Sequence, residues 1–300
     1  VQDGNAGNAG DLGKHGAYLS LLATLRRTPP WRGALDVIEA HAGKGLYVPS
    51  HAQWRTFQEL GHQEHVPLVS AQIAVTAPEP VGIGPILDLQ ADEYPYAGSS
   101  VLHASVLSSC PNRSLVCYDR DANVRETLQR VLGEPCFDAI RGQVAILNPG
   151  RQGSEPVILK ALQGGTYGRS HVLHLDPFAF LMSKDDQPTR DLYHDLIGEC
   201  DARVADERLC AASVFLTWGT NGRAAKDDLF EGGHRGVLRG GFQDLRGLVR
   251  PTQRIVVAWC WMLYFSLIVI VPERLRDDLG HSLTNDLARL AACCKYFAIS

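Results

Sequence analysis

Three separated groups of residues have types and spacing suited to chemistry. The first is Asp36-Val37-Ile38-Glu39-Ala40-His41-Ala42-Gly43-Lys44-Gly45, which reads as a buried strand running into a glycine-rich turn. Asp36, Val37, Ile38 and Ala40 suit a parallel sheet. Gly43 and Gly45 would let the backbone pass very close to a ligand, where a Cβ would collide or demand an unfavourable φ. The second group is the acidic pair Asp119 and Asp121, just after the apolar run Leu115-Val116-Cys117-Tyr118. The third is Asp176-Pro177-Phe178, after the apolar residues 172–175. A carboxylate such as Asp176, set beside an amine, can hydrogen-bond its N–H and orient its lone pair. Pro177 would stiffen that turn, and Phe178 or Phe180 could stack on a planar group. Plainer roles compete: the two phenylalanines could be core, and one of the acidic pair could cap the next helix.

These residues need a scaffold of alternating strands and helices. Apolar runs predict strands at about 34–40, 115–118, 144–147, 171–175 and 211–218. Helical spacing predicts helices over 12–27, 99–107, 124–132, 192–203 and 273–290. That alternation implies a mostly parallel sheet with helices on both faces. Residues 255–271 carry no charge for 17 positions, the short limit for a helix crossing roughly 30 Å of hydrocarbon. The stretch is rich in β-branched and aromatic residues and stops at Pro272. It is expected to form two buried strands with a tight connection near 262–264, adding an antiparallel edge, with a membrane helix as the alternative. Residues 48–95, broken by Pro67, Pro78, Pro80, Pro85 and Pro95, are expected as an insertion or cap within a single domain spanning 1–300.

Composition narrows the classes further. Three hundred residues with 45% apolar content support a buried core and argue against disorder. A net charge of −4 is not the footprint of a protein that wraps duplex nucleic acid. The distinctly basic stretch is 219–254, with seven Lys/Arg against four Asp/Glu. It is either a solvated loop or a substrate-closing arm. None of the eight cysteines sits in a Cys-x-x-Cys pair, so buried thiols in a reducing cytoplasm are expected, without structural zinc. The Gly-x-Gly-x-x-Gly pattern of nicotinamide enzymes is absent from 41–48.

The ordered trio of glycine turn, strand-end acid and Asp-Pro-aromatic resembles the layout of S-adenosylmethionine (SAM) methyltransferases. Ala6-Gly7-Asn8-Ala9-Gly10-Asp11-Leu12-Gly13-Lys14-His15 resembles the N-terminal motif of the RlmJ family, the 23S rRNA adenine-N6 methyltransferases. His41-Ala42-Gly43-Lys44-Gly45-Leu46-Tyr47 is similar to that family's SAM loop. Tyr94-Pro95-Tyr96-Ala97-Gly98-Ser99-Ser100 looks like its Tyr-Pro-Gly-Ser-Pro segment, with Ser100 in place of Pro. Leu216-Thr217-Trp218 sits where that family has a Trp after the fifth strand. The resemblance departs at Asp176-Pro177-Phe178, where the rRNA enzymes have Asp-Pro-Pro-Tyr. The Asp-Pro-Phe form is similar to the three-Cys-motif partner proteins.

The resemblance implies a Rossmann-like class I methyltransferase sheet, mostly parallel, with an antiparallel C-terminal hairpin. It implies SAM as cofactor, with Lys14 facing the SAM carboxylate and His15 or His41 as a nearby donor. Gly43 and Gly45 would line the methionine part, Ser99 would donate to the same carboxylate, Asp119 would accept the ribose hydroxyls, and Asn148 would contact adenine. Asp176, Pro177 and Phe178 would form the catalytic turn, with Tyr47 and Trp218 as walls. The acidic balance and the altered turn favour a planar small-molecule acceptor. An rRNA adenine and a non-catalytic SAM-binding module remain the alternatives.

Overall fold

Strands buried on both faces read as continuous apolar runs, because each successive side chain enters a different half of the core. The computed structural model describes residues 9–47, 96–176, 187–218, 247–260, 264–288 and 296–299. Helix α1 (Ala9–Arg27) leads into strand β1 (Ala34–Glu39). The two-residue strands β2 (Leu46–Tyr47) and β3 (Tyr96–Ala97) pair antiparallel. There follow α2 (Ser99–Leu107), β4 (Asn112–Tyr118), α3 (Ala122–Leu132), the short α4 (Asp138–Arg141), β5 (Val144–Leu147) and α5 (Ser154–Gln163). Then come β6 (His171–Leu175), α6 (Gln187–Ala205), β7 (Ala211–Trp218), β8 (Arg254–Cys260), β9 (Tyr264–Ile270), α7 (Glu273–Leu287) and β10 (Tyr296–Ile299).

Among the described residues, eight strands form one sheet in the order β10-β8-β9-β7-β6-β1-β4-β5. The five strands from β5 to β7 are parallel to one another. Alternation within each strand splits the core in two. Val37, Val172, Val257 and Leu267 join one cluster with α1, α2, α3 and α7. Their neighbours Ile38, Leu173, Val256 and Ile268 join the other, with α5 and α6. Helix α1 buries Leu12, Leu19, Leu21, Leu22 and Leu25 completely, as expected of a helix enclosed by other elements. It packs against α7 and α2, and Ser20 on it donates to Asp286 of α7.

The chain runs outward from β1 through β4 to β5, then returns to the other side of β1 as β6. The strand order therefore reverses between β1 and β6. In open α/β sheets, the crevice outside the carboxyl ends at such a reversal is where ligands bind.

Residues 255–271 form the two strands β8 and β9, and no helix among the described residues is long and apolar enough to cross a membrane. The expected antiparallel hairpin is present, and the structure adds the order of its strands. Strand β9 lies inside the sheet, antiparallel to both β7 and β8, and β10 pairs beyond β8. The reason is geometric: a β8–β9 hairpin can offer either strand to β7, and the wholly buried Leu267, Ile268, Val269 and Ile270 make β9 the better interior strand. Strand β10 and helix α5 were not expected from the sequence. The expected cap 48–95 lies outside the described residues, but the β2–β3 pairing and the bond from Gly98 N to Gly45 O (2.7 Å) bring its two ends together.

Leu267 is fully buried at the centre of β9. Leu267→Ala is expected to lower stability by about 2–5 kcal/mol, read from the midpoint of urea unfolding. An unchanged midpoint would contradict the interior placement of β9.

Candidate functional site

The glycine turn leaves the end of β1 and is held from three sides. Ala42 N donates to Tyr118 O (3.0 Å), and Ser100 Oγ donates to Ala42 O (2.6 Å). Gly43 N donates to Asp119 Oδ2 (3.2 Å) at the end of β4. Gly43 and Gly45 adopt φ of 61° and 87°, the left-handed region that favours glycine. The space a Cβ would need is filled by the protein itself. At Gly43 it would lie 2.2 Å from Tyr47 Oη, and at Gly45 it would lie 2.7 Å from Val101 and 2.8 Å from Leu128. The immediate reason for both glycines is thus the turn and its packing.

The acidic pair divides its work. Asp121 caps α3, accepting from Asn123 N (2.8 Å) and Val124 N (3.4 Å). Asp119 accepts Gly43 N on one oxygen and Asp121 N (2.9 Å) on the other. A carboxylate has about four acceptor positions, so Asp119 retains capacity for further donors. Asn148, after β5, is exposed, and its Oδ1 accepts Gly150 N (2.9 Å) within its own turn.

Lys14 projects from α1 to the end of β6. Its ammonium donates to Asp176 Oδ2 at 2.6 Å and to Asp11 Oδ1 at 3.1 Å, and lies 4.9 Å from the centre of the Phe215 ring. Lys14 is only 6% exposed. Burial opposes its charge, but the carboxylates of Asp176 and Asp11 outweigh burial and hold its pKa above the ordinary lysine value. His15, next along α1, stacks on Tyr96 and shares a 2.5 Å hydrogen bond with its hydroxyl.

Behind this ion pair lies a polar cluster that the sequence did not flag. Glu39, at the end of β1, is wholly buried, with His103 Nδ1 at 3.1 Å and His174 Nε2 at 3.8 Å. His174 Nδ1 bonds Ser213 Oγ (2.9 Å), and Tyr18 packs against both His103 and His174. Ser99, at the start of α2, is buried as well. Burial, with the Asp176 charge, pushes the Glu39 carboxyl well above its usual range. Burial, with nearby positive charge including Lys14, pushes His15, His103 and His174 well below the usual histidine value. Burial thus disfavours charge on the groups that stand behind the Lys14–Asp176 pair.

His41 begins the turn and uses both ring nitrogens. Asp176 N donates to Nδ1 (3.2 Å), and Nε2 lies 3.0 Å from Glu155 Oε1. Glu155, in the first turn of α5, also accepts from Tyr193 Oη (2.9 Å) and Ser154 Oγ (3.1 Å). Burial raises the Glu155 pKa, but the donors, His41 first, bring it down to about 2.

The structure thus brings Lys14, His15, His41, Gly43, Gly45, Ser99, Asp119 and Asp176 to the ends of β1, β4 and β6. Asn148 sits further along, at the end of β5. Pro177 and Phe178 lie outside the described residues, as does the side chain of Trp218. Sequence reasoning missed Asp11, Glu39, His103, Glu155 and Tyr193 as members of the site. Asp11 had a local signal, since a carboxylate three residues before a lysine on a helix shares its face. Cys110, Cys117, Cys136, Cys200 and Cys210 are free, and all but Cys136 are buried.

No protein-family model and no curated protein matches the chain. Its fold is similar to the crystal structure of protein LPL1258 from Legionella pneumophila str. Philadelphia 1, a protein of family model DUF519. The superposition has a TM-score of 0.61 at 16% identity and covers 99% of this chain and 98% of that one. At that identity the likeness is one of fold alone.

Gly45→Ala is expected to cost about 1–3 kcal/mol, because a strained φ and two close side chains act together; chemical denaturation reads it. Glu155 gives a pH test. Its folded pKa, about 2, lies below the ordinary glutamate value of 4.5, so its stabilisation is present above about pH 4.5 and fades as pH falls through 2. The melting-temperature gap between wild type and Glu155→Gln should therefore be widest near neutrality and close toward pH 2. A gap that persists at pH 2 would contradict the ionised role.

Proposed function

We propose that this protein is a SAM-dependent methyltransferase with a Rossmann-like class I sheet, acting on a nitrogen or other nucleophile of a planar small-molecule acceptor. One observation carries the reading. Three motifs far apart in sequence, at Lys14, at His41 to Gly45 and at Asp176, meet where the strand order reverses, with Asp119 gripping the glycine turn. That convergence resembles a cofactor site more than a structural ion pair.

The donors and acceptors present fit such a cofactor. SAM would supply a methyl group on a positively charged sulfur. Lys14 has three N–H donors, two of them on Asp11 and Asp176, which leaves one for a carboxylate. Asp119, with its remaining acceptor positions, would receive ribose hydroxyls. Asp176 gives Oδ2 to Lys14, which leaves Oδ1 to orient an acceptor N–H. Asp176 acts here by positioning, since displacement at a methyl group needs alignment and water exclusion above all.

The 2.6 Å contact between Lys14 and Asp176 favours a second reading, a SAM-binding module without transfer. A carboxylate neutralised by a buried lysine is a weaker acceptor for a substrate N–H. An rRNA adenine is the alternative acceptor within the first reading.

Calorimetric titration with SAM and S-adenosylhomocysteine tests the cofactor. Micromolar binding is expected, weakened at least tenfold in Lys14→Ala and Asp119→Ala, about 1.4 kcal/mol each. Absence of binding to the folded protein would end both readings. Given an acceptor from a panel of planar amines and adenine-bearing RNA, Asp176→Ala should lower turnover more than SAM affinity. Full turnover in that variant would remove Asp176 from the chemistry.

A further inference from the structure

The rungs between β1 and β6 stop at a defined place. Ala40 N donates to His174 O (3.0 Å), after which β1 departs into the glycine turn. The next donor on β6, the N–H of Asp176, has no strand left to meet. A buried backbone donor without a partner is costly. The ring of His41 takes the place of the missing strand, with Nδ1 3.2 Å from Asp176 N.

That bond is possible in one tautomer only. Nδ1 accepts an N–H only when it carries no proton, so the ring proton must sit on Nε2. Nε2 faces Glu155 Oε1 at 3.0 Å, and an ionised carboxylate accepts and never donates. Tyr193 from α6 and Ser154 beside Glu155 hold that carboxylate in place. The four residues form a directed series, from α6 and α5 through the start of the glycine turn to the peptide of Asp176.

We propose that Glu155 and His41 are positioning residues: Glu155 selects the His41 tautomer that accepts the Asp176 N–H, and His41 thereby sets the spacing between the glycine turn and the Asp176 carboxylate. The functional weight of that spacing rests on the reading of Asp176 as the group that faces an acceptor. The tautomer lock itself stands on the geometry alone. Tyr193 supports it at one remove, by fixing the Glu155 oxygen that receives Nε2–H.

Nuclear magnetic resonance of the full chain with nitrogen-labelled histidine reads the lock directly. In the wild type, His41 should show Nδ1 unprotonated and Nε2 protonated, and the Asp176 amide should resist hydrogen exchange. In Glu155→Ala the ring loses its bias, and the Asp176 amide should exchange about tenfold faster. Amides of Val116 and Cys117 in β4 should keep their protection, which separates the effect from general loosening. Glu155→Gln can still accept Nε2–H through its amide oxygen and should restore most of the Asp176 protection. A protonated Nδ1 in the wild type overturns the proposal, as does unchanged Asp176 exchange in Glu155→Ala. If Glu155→Ala does not fold, the wild-type tautomer decides alone. None of these readouts needs a cofactor or an acceptor, so their failure is distinct from a failure to bind SAM.

Discussion

A lysine buried beneath the ends of a sheet sets the terms for everything around it. An ammonium removed from water is tolerated only where carboxylates surround it closely, and removing one partner of such a pair costs about 3–5 kcal/mol. Lys14 has Asp176 at 2.6 Å and Asp11 at 3.1 Å. One of those partners travels on the same helix and the other directly follows β6. Helix α1 must therefore dock where β6 ends, and its leucines must fill the space beneath the sheet. Helix α7 then covers the face of α1 that the sheet does not.

Charge and neutrality are arranged in layers. The ion pair stands in front, and Glu39, His103, His174 and Tyr18 stand behind it, all buried. Burial first, and then nearby positive charge including Lys14, pushes the pKa values of the histidines there down. Burial first, and then the Asp176 charge, pushes the Glu39 pKa up. The result is a region where one lysine and its carboxylates dominate the field. A preorganised field of that kind is worth more to a bound polar group than the same charges in water.

Much of the scaffold was legible in the sequence because its strands are apolar on both faces. Residues 171–175 and 211–218 match β6 and β7 at both ends, and Ser99–Leu107 matches α2. The hairpin at 255–271 was legible as two strands, but its order in the sheet was not, since periodicity carries no information on which strand meets β7. Helix α5 was hidden by Pro156, although a proline in the first helical turn is permitted. At the site, Asp119 and Asp176 could be picked out because each follows an apolar strand, and Lys14 because it belongs to the N-terminal motif. Glu155 could not, because it meets His41 across 114 residues, and only the completed crossover brings them together. Asp121 was open between two roles, and its bonds to Asn123 and Val124 make it the cap.

Among the described residues the sheet ends in two strands of equal brevity. Strands β5 and β10 have four residues each, whereas the interior strand β7 has eight. Free backbone donors and acceptors on an outer strand are a template on which another chain can add itself. Here each border offers only a few such groups, and Pro149 follows β5 within two residues. An open sheet of eight strands is thereby given poor handholds for edge-to-edge aggregation, without closing into a barrel.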